Sequence, residues 1–268
     1  MTGVIELSHP LFPFPVPRSP FPPPYIPPMA APYWSVTRAP RYSLLFALPL
    51  LVLYEVLARF LSGEQGIRNG ADVLLKSLFI LLGGRHGLTV FAAVVLGTGL
   101  VFVVRDWRKS GAPVGRYFLG MTAESIVYAL LFGGVTSILT GLVLHAPTML
   151  AIAQGSSALS LPTEIMVSLG AGIYEELLFR VVLVTALAKL ALTGFGWRPW
   201  VSGTFATVLG ALIFSAFHYI GPLGDPLEVG SFVFRTVAGL LLSGLFLLRG
   251  FGIAAWTHAL YDVFLAVR

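Results

Sequence analysis

The sequence predicts an all-α fold, a polytopic bundle of membrane helices, and three observations carry that reading. Hydrophobic residues fill 56% of 268 positions and charged residues only 11%, with a mean hydropathy of +0.86. A soluble domain of this length needs far more charge to cover its surface. The apolar residues also run in long continuous segments instead of ten-residue alternations. That selects helices over a closed barrel, the only two ways to satisfy a backbone in lipid. Finally, the bases behind the net charge of +5 lie mostly between the apolar segments. Such a distribution reflects membrane topology and argues against nucleic-acid binding. The chain has no cysteine, which removes disulfides, thiolate catalysis and Cys-ligated metals.

Residues 1–40 hold 12 of the 19 prolines, a density no helix survives. They are read as an extended or disordered tail, without the basic start and apolar run of a signal peptide. Residues 41–159 are expected to supply the N-terminal membrane helices and residues 160–268 the helices that carry chemistry. Seven segments come near the roughly twenty residues that a bilayer requires. They span 42–61, 88–104, 118–144, 162–191, 200–218, 232–248 and 251–267. Residues 70–84 are too short and too charged for a clear crossing and read as an interfacial or re-entrant helix. They would make an eighth span only by crossing.

Charge sets the orientation. Loop 105–117 carries Arg105, Arg108, Lys109 and Arg116, whereas loop 145–161 has no Lys or Arg. Lys189 and Arg198 flank the next turn, the following loop has only Asp225 and Glu228, and Arg249 begins the last one. This alternation places the basic loops and the N-terminus in the cytoplasm, with the chain in a bacterial cytoplasmic membrane. Arg68, Lys76 and Arg85 run against the pattern unless the 70–84 segment holds them at the interface.

Three apolar segments contain ionisable groups, which in a membrane span mark a site by default. The first reads Gly-Ile-Tyr-Glu175-Glu176-Leu-Leu-Phe-Arg180. Adjacent helical residues point about 100° apart, so the two carboxylates face different ways. Glu176 and Arg180, four residues apart, share a face and can pair, which leaves Glu175 for a hydrated cavity as a general base. In the second segment, Phe214 and His218 share a face. In the third, His258 and Asp262 do, so the carboxylate either fixes the imidazole tautomer or joins it in a common cavity. No serine motif places a nucleophile beside a base. Water is therefore the expected nucleophile, activated by Glu175 with His218, while His258 and Asp262 face the carbonyl oxygen.

In that order on late hydrophobic helices, EExxxR, FxxxH and HxxxD resemble the CPBP family of intramembrane proteases. That family groups CAAX prenyl endopeptidases with relatives linked to bacteriocin processing and self-immunity. The resemblance covers about residues 160–268. It implies peptide-bond hydrolysis in or beside the membrane, with Glu175 catalytic, Glu176 and Arg180 supporting it, and Phe214, His218, His258 and Asp262 completing the site. Family members commonly carry Asn where this chain has Asp262. The implied partners are a membrane-associated protein or peptide substrate and the bilayer itself. Zinc is the alternative cofactor, since two His and a carboxylate can hold it, but a metal-free site is preferred because HExxH is absent.

The remaining charges are expected to be structural. Glu55 and Arg59 are four apart and can pair, and Glu124 and Arg235 can snorkel from span ends. Gly170, Gly172, Gly239 and Ser243 read as close-packing positions. Rival functions are a transporter, for which no matching charges occur in the first half, and a non-proteolytic scaffold or immunity protein.

Overall fold

In the computed structural model, residues 32–62, 66–145, 159–221 and 224–268 are described, and among them every regular element is helical. The chain forms α1 (Tyr33–Thr37), α2 (Pro40–Leu61), α3 (Gly70–Gly83), α4 (Gly87–Ser110), α5 (Gly115–Leu144) and α6 (Leu161–Gly170). A π-helical stretch, Ala171–Val184, continues α6 without a break. Then follow α7 (Thr185–Lys189), a short second π-helical turn (Leu190–Gly194), α8 (Pro199–Phe217), α9 (Val229–Arg249) and α10 (Phe251–Ala266).

Proline punctuates this order where its missing N–H costs nothing, in the first turns of α2, α6 and α8. Gly250 ends α9 at φ +84°, a left-handed conformation that lets α10 start one residue later. α10 then runs through the middle of the bundle, packed against α2, α5, α6, α9 and the π-helical stretch. Its Ile253, Ala254, Ala255 and Ala259 are fully buried. Small residues allow this approach. A Cβ on Gly172 would come within 2.4 Å of the Ala255 carbonyl oxygen and 2.5 Å of Ala259 Cβ, so the π-helical stretch touches α10 through bare backbone.

The outside is as apolar as the inside. Leu81, Leu100, Leu130, Ile138 and Leu142 are all exposed, the arrangement expected when lipid is the solvent. Six helical runs are long and apolar enough to cross a bilayer: Pro40–Leu61, Gly70–Ser110, Gly115–Leu144, Leu161–Gly194, Pro199–Phe217 and Val229–Arg249. The chain is an integral membrane protein.

Several elements differ from the sequence expectation. The segment expected to cross at 251–267 is α10, whose 16 residues extend about 24 Å, short of the ~30 Å hydrocarbon core. Residues 70–84 form α3 and the start of the turn that follows it. α3 starts inside the bundle, where Asn69 and Asp72 are buried, and folds back on α4 through Gly84–His86, as a re-entrant hairpin would. Most of the tail expected over 1–40 lies outside the described residues, but Tyr33–Thr37 is a helical turn. That turn is clasped by Arg249, which donates to the Trp34 carbonyl, to Thr37 Oγ1 and to both oxygens of Glu124. Tyr33 donates its hydroxyl to the same carboxylate at 2.9 Å. Burial and that hydrogen bond push the Tyr33 phenol up to about 12.

Candidate active site

Three helices bring the sequence-predicted residues to one cavity of about 230 Å³, lined by Glu175, Phe214, His218, His258 and Asp262 together with Arg235 and Tyr261. Each is delivered by a local feature. Glu175 and Glu176 sit in the first turns of the π-helical stretch, a rare geometry that concentrates at functional sites. His218 is the residue at which α8 stops. Its Nδ1–H donates to the Phe214 carbonyl at 2.8 Å, satisfying one of the orphan carbonyls at a helix end. This bond fixes the ring and turns Nε2 toward Glu175 Oε2, 3.9 Å away.

The two carboxylates part as their adjacent positions require. Glu175 is 7% exposed. Its Oε1 accepts from Asn69 Nδ2 at 2.9 Å, while Oε2 has no hydrogen-bond partner among the described residues. Glu176 is completely buried and meets two basic side chains. Its Oε1 accepts from His258 Nδ1 at 2.8 Å, and its Oε2 lies 3.2 Å from Arg180 Nε. The second contact is ionic without an aligned N–H, because Nε, Nη1 and Nη2 of Arg180 all lack a hydrogen bond. The guanidinium instead lies 4.4 Å over the Phe214 ring, a cation–π contact. Phe214 also meets both imidazoles edge-on, with centroids 4.9 Å from His218 and 6.1 Å from His258.

Asp262 takes a smaller part in orienting His258 than its spacing suggested. The hydrogen bond that sets the tautomer is donated to Glu176, and Asp262 Oδ2 stands 3.5 Å from Nε2. With Nδ1–H committed to a carboxylate, Nε2 of His258 is the atom left facing the cavity.

Residues that sequence reasoning passed over also belong here. Arg235, expected to snorkel, lines the cavity and pairs with Asp225. Glu55 does not rely on Arg59. It binds Lys76 at 2.8 Å and Arg68 at 3.4 Å and accepts from the Tyr174 hydroxyl. Asn69 carries no sequence signal of function beyond a helix-capping position.

Residues 157–264 match the family model described as Type II CAAX prenyl endopeptidase Rce1-like. This part of the chain is similar to that family of membrane proteases. It contains all three motifs, in agreement with the family they pointed to. The chain matches no curated protein and no solved structure. Within the matched residues lie the π-helical stretch, α8, α9 and most of α10, so every sequence-predicted site residue falls inside them. Asn69 and its neighbours do not.

Proposed function

We propose that this chain is an intramembrane endopeptidase that hydrolyses a peptide bond of a membrane-associated protein or peptide, using water activated by Glu175 and His218. The observation that carries this is the unpartnered, buried Glu175 Oε2 facing His218 Nε2 in a cavity shared with His258 and Asp262. A water there donates one proton to each partner and keeps a lone pair for the scissile carbonyl carbon. At 3.9 Å the pair stands closer than the ~4.6 Å spanned by two ~2.8 Å hydrogen bonds to one water. A rotation of either side chain therefore accompanies water entry. His218, with Nδ1–H bound to Phe214 O, offers Nε2 as an acceptor.

On the other side, imidazolium His258 presents Nε2–H to the developing oxyanion, with Glu176 holding the ring and Asp262 steering it. Collapse of the tetrahedral intermediate breaks the C–N bond, and the proton taken from water returns to the leaving amine. Arg180 stays behind Glu176 in a supporting role, and Phe214 forms the wall between the two imidazoles. The basic loops after α4 and around Lys189 support a cytoplasmic N-terminus.

A zinc ion would require several donors on one point. Here His218 Nε2 faces Glu175 and His258 Nε2 faces Asp262. Among the described residues no three His, Cys, Asp or Glu side chains gather with metal-ligand spacing. That donor set does not fit zinc. The test uses full-length protein in detergent with a quenched-fluorescent farnesylated peptide ending in a CAAX sequence, beside unprenylated membrane peptides. Glu175→Gln, close to isosteric, is expected to lower kcat by about 10²–10⁴, the usual worth of a general base. Parent-level turnover in that variant would refute the assignment.

A further inference from the structure

We propose that Asn69, outside the Rce1-like match, is the positioning residue that holds Glu175 for catalysis. This rests on the proposed role of Glu175 as the water-activating base.

Asn69 is the N-cap of α3. Its Oδ1 accepts from the backbone N–H groups of Ala71 at 2.9 Å and Asp72 at 3.4 Å, as helix caps do. With the oxygen so committed, the amide can point in only one sense, and Nδ2 faces away from the helix. It is this nitrogen that donates to Glu175 Oε1 at 2.9 Å, across 106 residues of sequence. The cap thus fixes the amide, and the amide fixes the carboxylate.

The residue is itself gripped from several sides. Its backbone N–H donates to the Tyr54 hydroxyl at 3.3 Å, and that hydroxyl donates to Asp72 Oδ2 at 2.8 Å. Fully buried Asp72 is held by Arg68 and Lys76, each at 2.7 Å. Lys76 continues to Glu55, which accepts from Tyr174, the residue just before Glu175. A Cβ on Gly170 would come within 2.7 Å of Asn69 Cβ, so glycine is what lets α6 approach this knot. Asn69 is 3% exposed, out of reach of bulk water. Such a supporting shell holds a catalytic group in its productive geometry. One carboxylate oxygen is occupied and the other is left, at a fixed angle, for water and His218. The first half of the chain, where no catalytic motif lies, contributes this constraint.

The experiment uses the full chain in detergent, the farnesylated peptide above, and the variants Asn69→Ser, Asn69→Thr and Glu175→Gln. Serine and threonine both cap a helix, but neither carries an amide donor toward Glu175. A purely structural role predicts parent-like turnover in both. Positioning predicts a kcat per folded molecule lowered tenfold or more, and a KM within twofold. A second readout needs no turnover. The Glu175 carboxyl band, identified in pH-difference infrared spectra by its loss in Glu175→Gln, shifts in Asn69→Ser. Should the serine variant not fold, Asn69→Thr takes its place. Parent kcat and an unshifted Glu175 band in a folded Asn69 variant would overturn the proposal. If Glu175→Gln hydrolyses at the parent rate, Glu175 is not the base and both ideas fall. If Glu175→Gln is inactive while Asn69→Ser is fully active, only the role of Asn69 fails.

Discussion

Removing the Arg180 guanidinium separates a supporting role from a chemical one. Arg180 and Glu176 are 1% and 0% exposed as side chains, so neither charge has water to fall back on. In Arg180→Ala, Glu176 keeps the His258 Nδ1–H on one oxygen and loses the cation beside the other. Breaking a buried pair from one side costs about 3–5 kcal/mol. Losing the contact over Phe214 adds up to about 2 kcal/mol. Against this, the guanidinium makes no aligned hydrogen bond through any of its nitrogens, so its own desolvation is relieved when it goes. The expected loss is therefore near the lower end, about 3 kcal/mol. Adding Glu176→Gln removes the stranded charge while keeping an amide oxygen for His258, so a double-mutant cycle should show coupling of about 2–3 kcal/mol. Unfolding free energies of the four proteins measure this, alongside the hydrolysis rate per folded molecule. If Arg180→Ala kept its stability and lost activity, Arg180 would act on the substrate directly and the supporting assignment would be wrong.

Gly172→Leu is expected to destabilise the protein by about 1–3 kcal/mol through overpacking against α10; an unchanged unfolding midpoint would contradict the backbone-on-backbone contact. Active protein is expected to turn over without stoichiometric metal. Zinc found at near one per chain, lost and regained together with activity, would overturn the metal-free step and leave the protease assignment in place. Arg249→Lys keeps the charge but not the fork that binds Glu124, Thr37 and Trp34 at once, so α1 should loosen and trypsin should cut faster after exposed Arg38. A parent-like cleavage rate would show that the clasp does not hold α1.

The class of fold was legible because lipid imposes its demand on every residue of a span, and composition alone reports it. The candidate site was legible for a related reason. A carboxylate or imidazole within an apolar run is conspicuous, and Glu175, His218, His258 and Asp262 each stood out before any contact was visible. Their roles were less so. The sequence paired His258 with Asp262 by helical spacing, whereas its hydrogen bond goes to Glu176 on another helix. Spacing rules see one element at a time. The π-helical stretch had no sequence signal, since its residues are ordinary helix formers and the wider turn is set by packing. The depth of His218 was also unreadable, because α8 ends at the site and straight counting cannot tell where a helix begins in the bilayer.

The charges that defied the orientation rule illustrate what a span-by-span reading cannot supply. Arg68 and Lys76 looked like misplaced external bases. Both are consumed by Asp72 and Glu55, so they exert little of the free positive charge that biases topology. The same four charges brace Asn69, whose side chain reaches Glu175. A cluster that counted as noise in the topology is thus continuous with the site, and it lies in the half of the chain that the Rce1-like match does not cover. It follows that the isolated 157–264 segment, deprived of α2 and α3, would leave Glu175 Oε1 without its donor and a buried carboxylate unsatisfied. Expressed alone, that segment should be inactive even if inserted, and co-expression with residues 1–156 should restore hydrolysis. Activity in the isolated segment would show that the first half is dispensable to the chemistry.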